Sequence, residues 1–435
     1  EKLVTKGAIS CKPRRRARQK KENNTMREDL LKQYAEFAVK VGVNPQKGQT
    51  MLISCSVESA PFARLCAKAA FEAGARDVVM KYTDEQIARI RMENASVETL
   101  EDVKPYILRS YLDYAESEGG ACILNIHDSD PEAFKGLDAQ KIARANKARR
   151  EALAAWRDYT MKDKVQWSIV AIPGPAWAKK VFPGDENAEE KLWQAIFQVC
   201  RVQEGTDVTA AWREHLAKLE ARRNRLNELQ LESVHFESAN GTNLTVGLAE
   251  NHTWEAAGGR TPQGYEFLPN IPTEEVFTAP HKDKVDGIVH GTKPYVYNGE
   301  IIDGFWVRFE HGRVVEYHAE KNEALLGHLL DTDEGARHIG EVALVPASSP
   351  INQSGILFYS TLFDENAACH IAFGAGYPGT VKGGNAMSKE QLLALGVNDS
   401  LVHEDVMIGA ADTTITGQTK DGRTVPLFAR GEWVF

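Results

Sequence analysis

The chain has 435 residues, of which 43% are hydrophobic and 26% are charged, and its formal net charge is -9 at pH 7. This length exceeds what one hydrophobic core usually serves and predicts two domains. The acidic balance argues against nucleic acid as the main partner, because phosphate binding needs a positive surface. Neither a run of roughly 18 apolar residues nor a secretory signal pattern is found, so we expect a cytoplasmic protein with no membrane partner.

The first 25 residues differ in composition from the rest of the chain. They contain a basic run, KPRRRARQKK, at positions 12–21, just upstream of Met26. Such a run is typical of a solvated tail, and a nucleic-acid or targeting patch is the alternative. We expect 1–25 to be a disordered leader or tail outside the functional unit. The six cysteines are scattered without a CxxC pair, which predicts reduced thiols.

Strand and helix patterns alternate over 26–230. An amphipathic helix pattern begins at Met26, and two more helices are expected over 187–229. Four short apolar runs predict strands, at 51–56, 77–82, 121–126 and 167–173. Helical spacing over 60–73 separates the first two of these strands, which makes a βαβ unit. We therefore predict an α/β N-terminal domain with a parallel sheet.

The pattern changes after about residue 230. Asn240-Gly241 between alternating apolar residues is a strong β-hairpin signal. At least three short strands with glycine-containing turns follow over 294–320, and a helix is expected over 324–330. We predict an α+β C-terminal domain over 231–435 with a mostly antiparallel sheet. Eleven of the twelve histidines lie beyond residue 200, so we place the metal site in this half.

Two pairs of candidate ligands lie late in the chain. His403 and Asp405 are separated by two positions in a strand pattern, so they project from one face. Glu365 and His370 are separated by five positions and would share a site only with a turn between them. Taken singly, an HxD pair is also typical of an ordinary half-exposed strand, and His370 is also compatible with a hydrogen-bonded core histidine.

Two further carboxylates lie in apolar surroundings. Glu341 opens the apolar run of IGEVALV, where a carboxylate is costly unless it is paired or bound to a cation. Glu275 precedes an apolar pair in a segment between Pro272 and Pro280. A satisfied structural glutamate is the alternative for Glu275.

Four carboxylates and two imidazoles thus form one candidate set: Glu275, Glu341, Glu365, His370, His403 and Asp405. Mixed oxygen and nitrogen donors suit two borderline divalent ions such as zinc, cobalt or manganese better than a sulfur-rich structural zinc site. A carboxylate that bridges two ions, with a shared water of lowered pKa, points to hydrolysis.

Three other motifs are less favoured. HEDVM at 403–407 lacks the second histidine of HExxH. GAGYPG at 374–379 matches GxGxxG, but no helix and no ribose-binding acid follow it, which argues against a dinucleotide site. A GxSxG nucleophile motif is absent from the sequence, and Cys369 shows no sign of activation.

Four motifs in order resemble the thermophilic-type metallo-aminopeptidase family of aminopeptidase T and aminopeptidase S. These are NIPTEEVFTAP, GEVALV, LFDENAACHIAFGAGY and the late HxD, and the similarity extends from about Met26 to the C-terminus. The resemblance implies a cytoplasmic, usually dimeric, dinuclear metallo-aminopeptidase that hydrolyses N-terminal residues from peptides with a free N-terminus through a metal-activated water.

The resemblance also implies roles for individual residues. The six candidate ligands match the family's metal-site positions, with Glu341 as the carboxylate shared by both ions and a carrier of the water's proton. Tyr377 matches the active-site tyrosine and would stabilise the oxyanion. Glu274 stands where the family commonly carries glycine, and it is expected to add charge beside the metals or to alter the local turn. The alternatives are another metal-dependent amide or ester hydrolase and a non-catalytic binding protein on the same fold.

Overall fold

The computed structural model describes residues 27–128 and 130–435. The expected leader 1–25 and its basic run lie outside these residues. Helices in the first half are α1 (27–37, continued by the π-helical turn Ala38–Val43), α2 (Ala60–Glu72), α3 (Glu85–Asn94), α4 (Val97–Glu101), α5 (Pro105–Ala115), α6 (Ala139–Ala152), α7 (Ala154–Met161), α8 (Pro175–Val181), α9 (Ala188–Val199) and α10 (Val208–Leu229). Side chains of Asp84, Asp138 and Asp207 accept backbone N–H groups at the starts of α3, α6 and α10 and so fix where these helices begin.

A four-stranded sheet organises the first half. Its strands are β1 (Thr50–Ser56), β2 (Asp77–Thr83), β3 (Ala121–His127) and β4 (Trp167–Ala171). They run parallel in the order β2-β1-β3-β4. β1 and β3 are buried along nearly their whole length, as expected for central strands of a parallel sheet covered on both faces. The predicted parallel sheet is therefore confirmed.

The second half is built from antiparallel strands. These are β5 (Leu231–Glu237), β6 (Asn243–Leu248), β7 (Glu255–Ala256), β8 (Gly259–Arg260), β9 (Glu266–Phe267), β10 (Val276–Thr278), β11 (Pro280–His290), β12 (Tyr295–Tyr297), β13 (Glu300–Glu310), β14 (Arg313–Lys321), β15 (Ile339–Leu344), β16 (His370–Gly374), β17 (His403–Met407), β18 (Thr414–Thr419), β19 (Thr424–Ala429) and β20 (Glu432–Trp433). Short helices connect them: α11 (Glu323–Leu330), α12 (Pro350–Gln353), α13 (Thr361–Asp364) and α14 (Lys389–Ala394).

Two larger sheets result from these pairings. One has the order β17-β16-β15-β10-β7, and the other has the order β12-β13-β11-β6-β5-β18-β19-β20 with β14 paired to β13. The predicted hairpin joins β5 to β6, and Gly241 adopts φ 100° in its turn, a conformation open to glycine. The predicted α+β fold of the second half, with a mostly antiparallel sheet, is confirmed.

The two halves share a hydrophobic core. The core of the parallel sheet includes Leu268, Ile271 and several apolar residues of 351–367. The N–H of Ile169 in β4 donates to the carbonyl of Pro269 at 2.7 Å, and the N–H of Ile271 donates to the carbonyl of Ile169 at 3.0 Å. The segment 268–271 thus covers the outer edge of β4, and it leads directly to Glu275.

Two negative predictions can be compared with the described residues. Across 27–128 and 130–435, none of the helices has both the length and the apolar character needed to cross a membrane. The five cysteines in these ranges are buried and unpaired, in agreement with the expected reduced thiols.

Candidate metal centre

Sheet register places four of the candidate ligands on one face. Ala372 in β16 pairs with Glu341 in β15 on one side and with Asp405 in β17 on the other. Directly opposed residues share a face, and so do residues two apart on one strand. His370 and His403 therefore project from the same face as Glu341 and Asp405. The short side chain between the two carboxylates leaves room for a cluster.

A bulge before Glu341 brings this strand into place. The register between β15 and β16 shifts between Ile339 and Glu341. At Gly340 a Cβ atom would lie 2.3 Å from the backbone of Ala375, so only glycine permits this approach. Glu275 directly precedes β10, which pairs with β15 on the side opposite β16, and its side chain enters the cluster from there.

The donor atoms form two groups that share Glu341. Glu275, Glu341 and His370 place one donor atom each within 4.8 Å of one another, and so do Glu341, His403 and Asp405. Nε2 of His370 lies 3.0 Å from Oε2 of Glu275 and 3.6 Å from Oε1 of Glu341. Nε2 of His403 lies 3.7 Å from the other Glu341 oxygen, Oε2. The two oxygens of one carboxylate thus face two separate groups.

The orientation of both imidazoles suits metal binding. Nδ1 of His370 donates to the carbonyl of Ala368 at 3.1 Å, and Nδ1 of His403 donates to the carbonyl of Ala375 at 2.7 Å. A carbonyl can only accept, so the neutral form of each ring keeps the lone pair on Nε2, which faces the cluster. Nε2 of His370 and Oδ1 of Asp405 are buried and have no hydrogen-bond partner among the described residues. The donor atoms of both groups therefore fit divalent metal ions.

Burial perturbs the titration of the whole cluster. It raises the pKa of Glu341 to about 7. Burial and the carboxylates of Asp405 and Glu275 raise the pKa of Glu365 well above its ordinary value. Burial alone lowers the pKa of His403, but the carboxylates of Asp405 and Glu341 outweigh it and raise this pKa to about 9. Such a group of buried carboxylates is costly unless protons or cations neutralise it.

Glu365 and Tyr377 lie at the margin of the two groups. Glu365 is buried at the start of the 3₁₀ turn Glu365–Ala367 and accepts a hydrogen bond from Nδ2 of Asn366 at 3.3 Å, but it belongs to neither three-residue group. The Tyr377 ring packs edge-on against the His403 ring, with centroids 4.9 Å apart. Burial and the neighbouring carboxylates, Glu341 first, raise the pKa of Tyr377 well above its ordinary value, so its hydroxyl stays protonated.

A cavity of about 1100 Å³ opens onto the cluster. Five of the six candidate ligands line it, together with Tyr377. Its opposite wall comes from the first half and includes His127, Met161 and Ile169. The cavity is large enough for a peptide, and both halves of the chain form its walls.

The charge that Glu274 adds near the cluster has a basic partner. Its buried carboxylate, 5% exposed, pairs with Arg201, with Nη2 and Oε1 2.6 Å apart. Arg201 also lies over the Trp212 ring, 5.2 Å from the centroid. The added negative charge is therefore neutralised by a cation from the first half. The basic partner lies 73 positions earlier in the chain, so no local pattern could have indicated it.

The structure adds residues that the sequence did not single out. The side chain of Asn366 accepts the backbone N–H of Glu274 at 2.7 Å and donates to Glu365 at 3.3 Å. His215 bonds the carbonyl of Thr273 at 2.8 Å. The sequence indicated Asn366 only by its place directly after the candidate ligand Glu365.

Comparison with known proteins gives matches over nearly the whole chain. The model of a family described as thermophilic metalloprotease (M29) matches residues 27–433. Aminopeptidase 2 of Geobacillus stearothermophilus is 47% identical over 410 residues, which cover 94% of this chain and 98% of that protein. Aminopeptidase T of Thermus aquaticus is 43% identical over 406 residues, with 93% and 98% covered.

A solved structure agrees with these sequence matches. Wild-type AmpT from Thermus thermophilus superposes with a TM-score of 0.86 at 41% sequence identity, and the match covers 94% of this chain and 100% of that one. The similarity therefore extends over both halves of the fold.

Proposed function

The chain belongs to the thermophilic metalloprotease family M29 and is a metal-dependent aminopeptidase, and we propose that it binds two divalent ions that share Glu341. The observation that carries the proposal is the position of this carboxylate, whose oxygens face two groups of donor atoms. We assign Glu275, Glu341, Glu365, His370, His403 and Asp405 as the ligands. Zinc, cobalt and manganese all suit this donor set.

The charge of the cluster supports two ions rather than one. Its four carboxylates carry four negative charges when ionised, and its two imidazoles are neutral when they act as ligands. Two divalent cations would balance this charge, whereas a single ion would leave two buried negative charges without a partner. Buried charges without partners are strongly unfavourable.

The residues around the cluster account for peptide hydrolysis. Bound divalent ions supply a water of lowered pKa and polarise the substrate carbonyl. Glu341, or a neighbouring carboxylate of the cluster, accepts the proton of the attacking water and passes it to the leaving amine. The protonated hydroxyl of Tyr377 donates a hydrogen bond to the oxygen that becomes negative when the carbonyl is attacked.

An acidic cavity suits substrates with a free N-terminus. The α-amino group is a cation at or below neutral pH and is attracted by carboxylates that line the cavity outside the cluster, such as Asp163 and Glu255. An acetylated N-terminus carries no charge and is longer by an acetyl group. We therefore expect free peptides to be cleaved and N-acetylated peptides to be spared, which separates an aminopeptidase from another amide or ester hydrolase.

A metal-exchange experiment tests this proposal. The protein is stripped with a chelator and zinc, cobalt or manganese is added back in turn, while amino-acid release from free and N-acetylated peptides is followed. We expect activity to return with two equivalents of metal and only on free N-termini. Full activity after complete metal removal would refute the metal mechanism, whereas no activity with any of the three metals would favour the non-catalytic binding protein.

We also propose the domain division and assembly that the sequence predicts. An N-terminal domain over 26–230 would wall the cavity, and a catalytic domain over 231–435 would carry the ligands. The strands of the parallel sheet lie before residue 231 and those of the two larger antiparallel sheets after it, which supports this division. The homodimer and the cytoplasmic location stay predictions, to be tested by light scattering and by cell fractionation.

A further inference from the structure

The peptide bond between Thr273 and Glu274 is held at both of its ends. Nε2 of His215, on α10, donates to the carbonyl of Thr273 at 2.8 Å. The N–H of Glu274 donates to Oδ1 of Asn366 at 2.7 Å. Glu275 is the next residue, so the backbone that carries its side chain into the cluster starts from this fixed peptide plane.

Asn366 connects this peptide to a second candidate ligand. Its side chain is fully buried, and its Nδ2 donates to Oε1 of Glu365 at 3.3 Å and to the carbonyl of Leu362 at 3.2 Å. One amide group thus contacts the segments of two ligands that lie far apart in the sequence. Its Oδ1 accepts from the backbone next to Glu275, and its Nδ2 donates to the carboxylate of Glu365.

The far end of the peptide is equally fixed. Nδ1 of His215 accepts from Nη2 of Arg201 at 3.1 Å, so its Nε2 carries the hydrogen that bonds Thr273. Arg201 also pairs with the Glu274 carboxylate. Burial and the adjacent Arg201 lower the pKa of His215 to about 3, so this hydrogen bond keeps its direction at neutral pH. The peptide plane therefore has a rigid support that spans both halves of the chain.

We propose that Asn366 is a positioning residue of the metal centre, whose amide holds the Glu275 and Glu365 segments at the separation that metal binding needs. This inference rests on the proposed two-metal function. It goes beyond the six ligands, because the amide of Asn366 is engaged in hydrogen bonds with Glu274, Leu362 and Glu365. Outer hydrogen-bond partners of metal ligands commonly change metal affinity by about 10- to 100-fold when they are removed.

Two substitutions separate hydrogen bonding from packing. Asn366→Ala removes all three side-chain hydrogen bonds and leaves a cavity, whereas Asn366→Leu removes the hydrogen bonds but keeps most of the volume. Asn227→Ala is the matched control. The Asn227 side chain bonds Trp254 in the same two-sided way, accepting its N–H at 2.8 Å and donating to its carbonyl at 3.0 Å.

The measurement is metal affinity by chelator competition, together with the visible absorption spectrum of the cobalt-loaded protein. Unfolding of each metal-free variant in urea serves as the folding check. We expect both Asn366 variants to bind at least one ion about 10- to 100-fold more weakly and to show an altered cobalt spectrum. We expect Asn227→Ala to keep the wild-type affinity and spectrum at a similar loss of stability.

The outcomes distinguish this inference from the function on which it rests. Wild-type affinity and spectrum in Asn366→Leu would overturn the positioning role, even if Asn366→Ala were impaired, because packing alone would then explain the effect. Failure of the wild-type protein to bind two ions would instead overturn the two-metal proposal and this inference with it.

Discussion

Removing the charge of Glu341 is the most direct test of the shared carboxylate. Glu341→Gln keeps the size and shape of the side chain but takes away the negative charge that faces both donor groups. The Glu341 oxygens lie 3.6 and 3.7 Å from Nε2 of His370 and of His403. A substitution at this position should therefore weaken both ion sites together.

The magnitude follows from Coulomb's law at these distances. Two unit charges about 4 Å apart interact with about 4 kcal/mol at an effective dielectric constant of about 20. Each 1.4 kcal/mol corresponds to about tenfold in a binding constant. We therefore expect Glu341→Gln to weaken metal binding by about a thousandfold and to abolish peptide cleavage at micromolar metal.

Chelator competition measures the affinity, and release of free amino acids from an unblocked peptide measures the activity. Glu404→Gln is the matched control, since Glu404 lies between His403 and Asp405 on β17 and projects to the opposite face. Glu404 is half-buried, and desolvation raises the pKa of its carboxyl to about 7. Wild-type metal affinity in Glu341→Gln, or an equal loss in Glu404→Gln, would refute the reasoning.

Three further predictions concern pH, the oxyanion and the buried ion pair. Metal binding requires Glu341 to be ionised and His403 to be neutral, and their pKa values in the metal-free protein are about 7 and about 9. Metal affinity should therefore rise from pH 6 to pH 9. Calorimetry in buffers of different ionisation enthalpy measures the protons that are released when the metal binds. A flat profile would contradict this. Tyr377→Phe should lower kcat by about 100- to 1000-fold while metal affinity stays unchanged, and a loss confined to KM would assign Tyr377 to substrate binding instead. Glu274→Gln leaves Arg201 without its partner and should lower the free energy of unfolding, measured by urea titration, by about 3 kcal/mol. The double variant Glu274→Met, Arg201→Met should regain much of this lost stability. Equal stability of the single and double variants would show that the pair is not coupled.

Local sequence patterns were sufficient to predict the strands of the parallel sheet, the hairpin and the chemical character of the site. The apolar runs gave the strands of the parallel sheet, and Asn240-Gly241 gave the hairpin, because these signals depend on neighbouring residues alone. The two-residue period of a strand placed His403 and Asp405 on one face. The cost of burying Glu341 in an apolar strand marked it as a residue that needs a cation.

Which candidate ligands lie close together depends on the tertiary structure. Ala372 brings Glu341 and Asp405 onto one row of the sheet, and this register depends on pairing between strands that are far apart in the sequence. The partners of the segment 273–275 come from α10, from the 3₁₀ turn Glu365–Ala367 and from the sheet, and the cavity has walls from both halves. Such contacts are fixed by packing and by long-range hydrogen bonds, which leave no periodic trace in the local sequence.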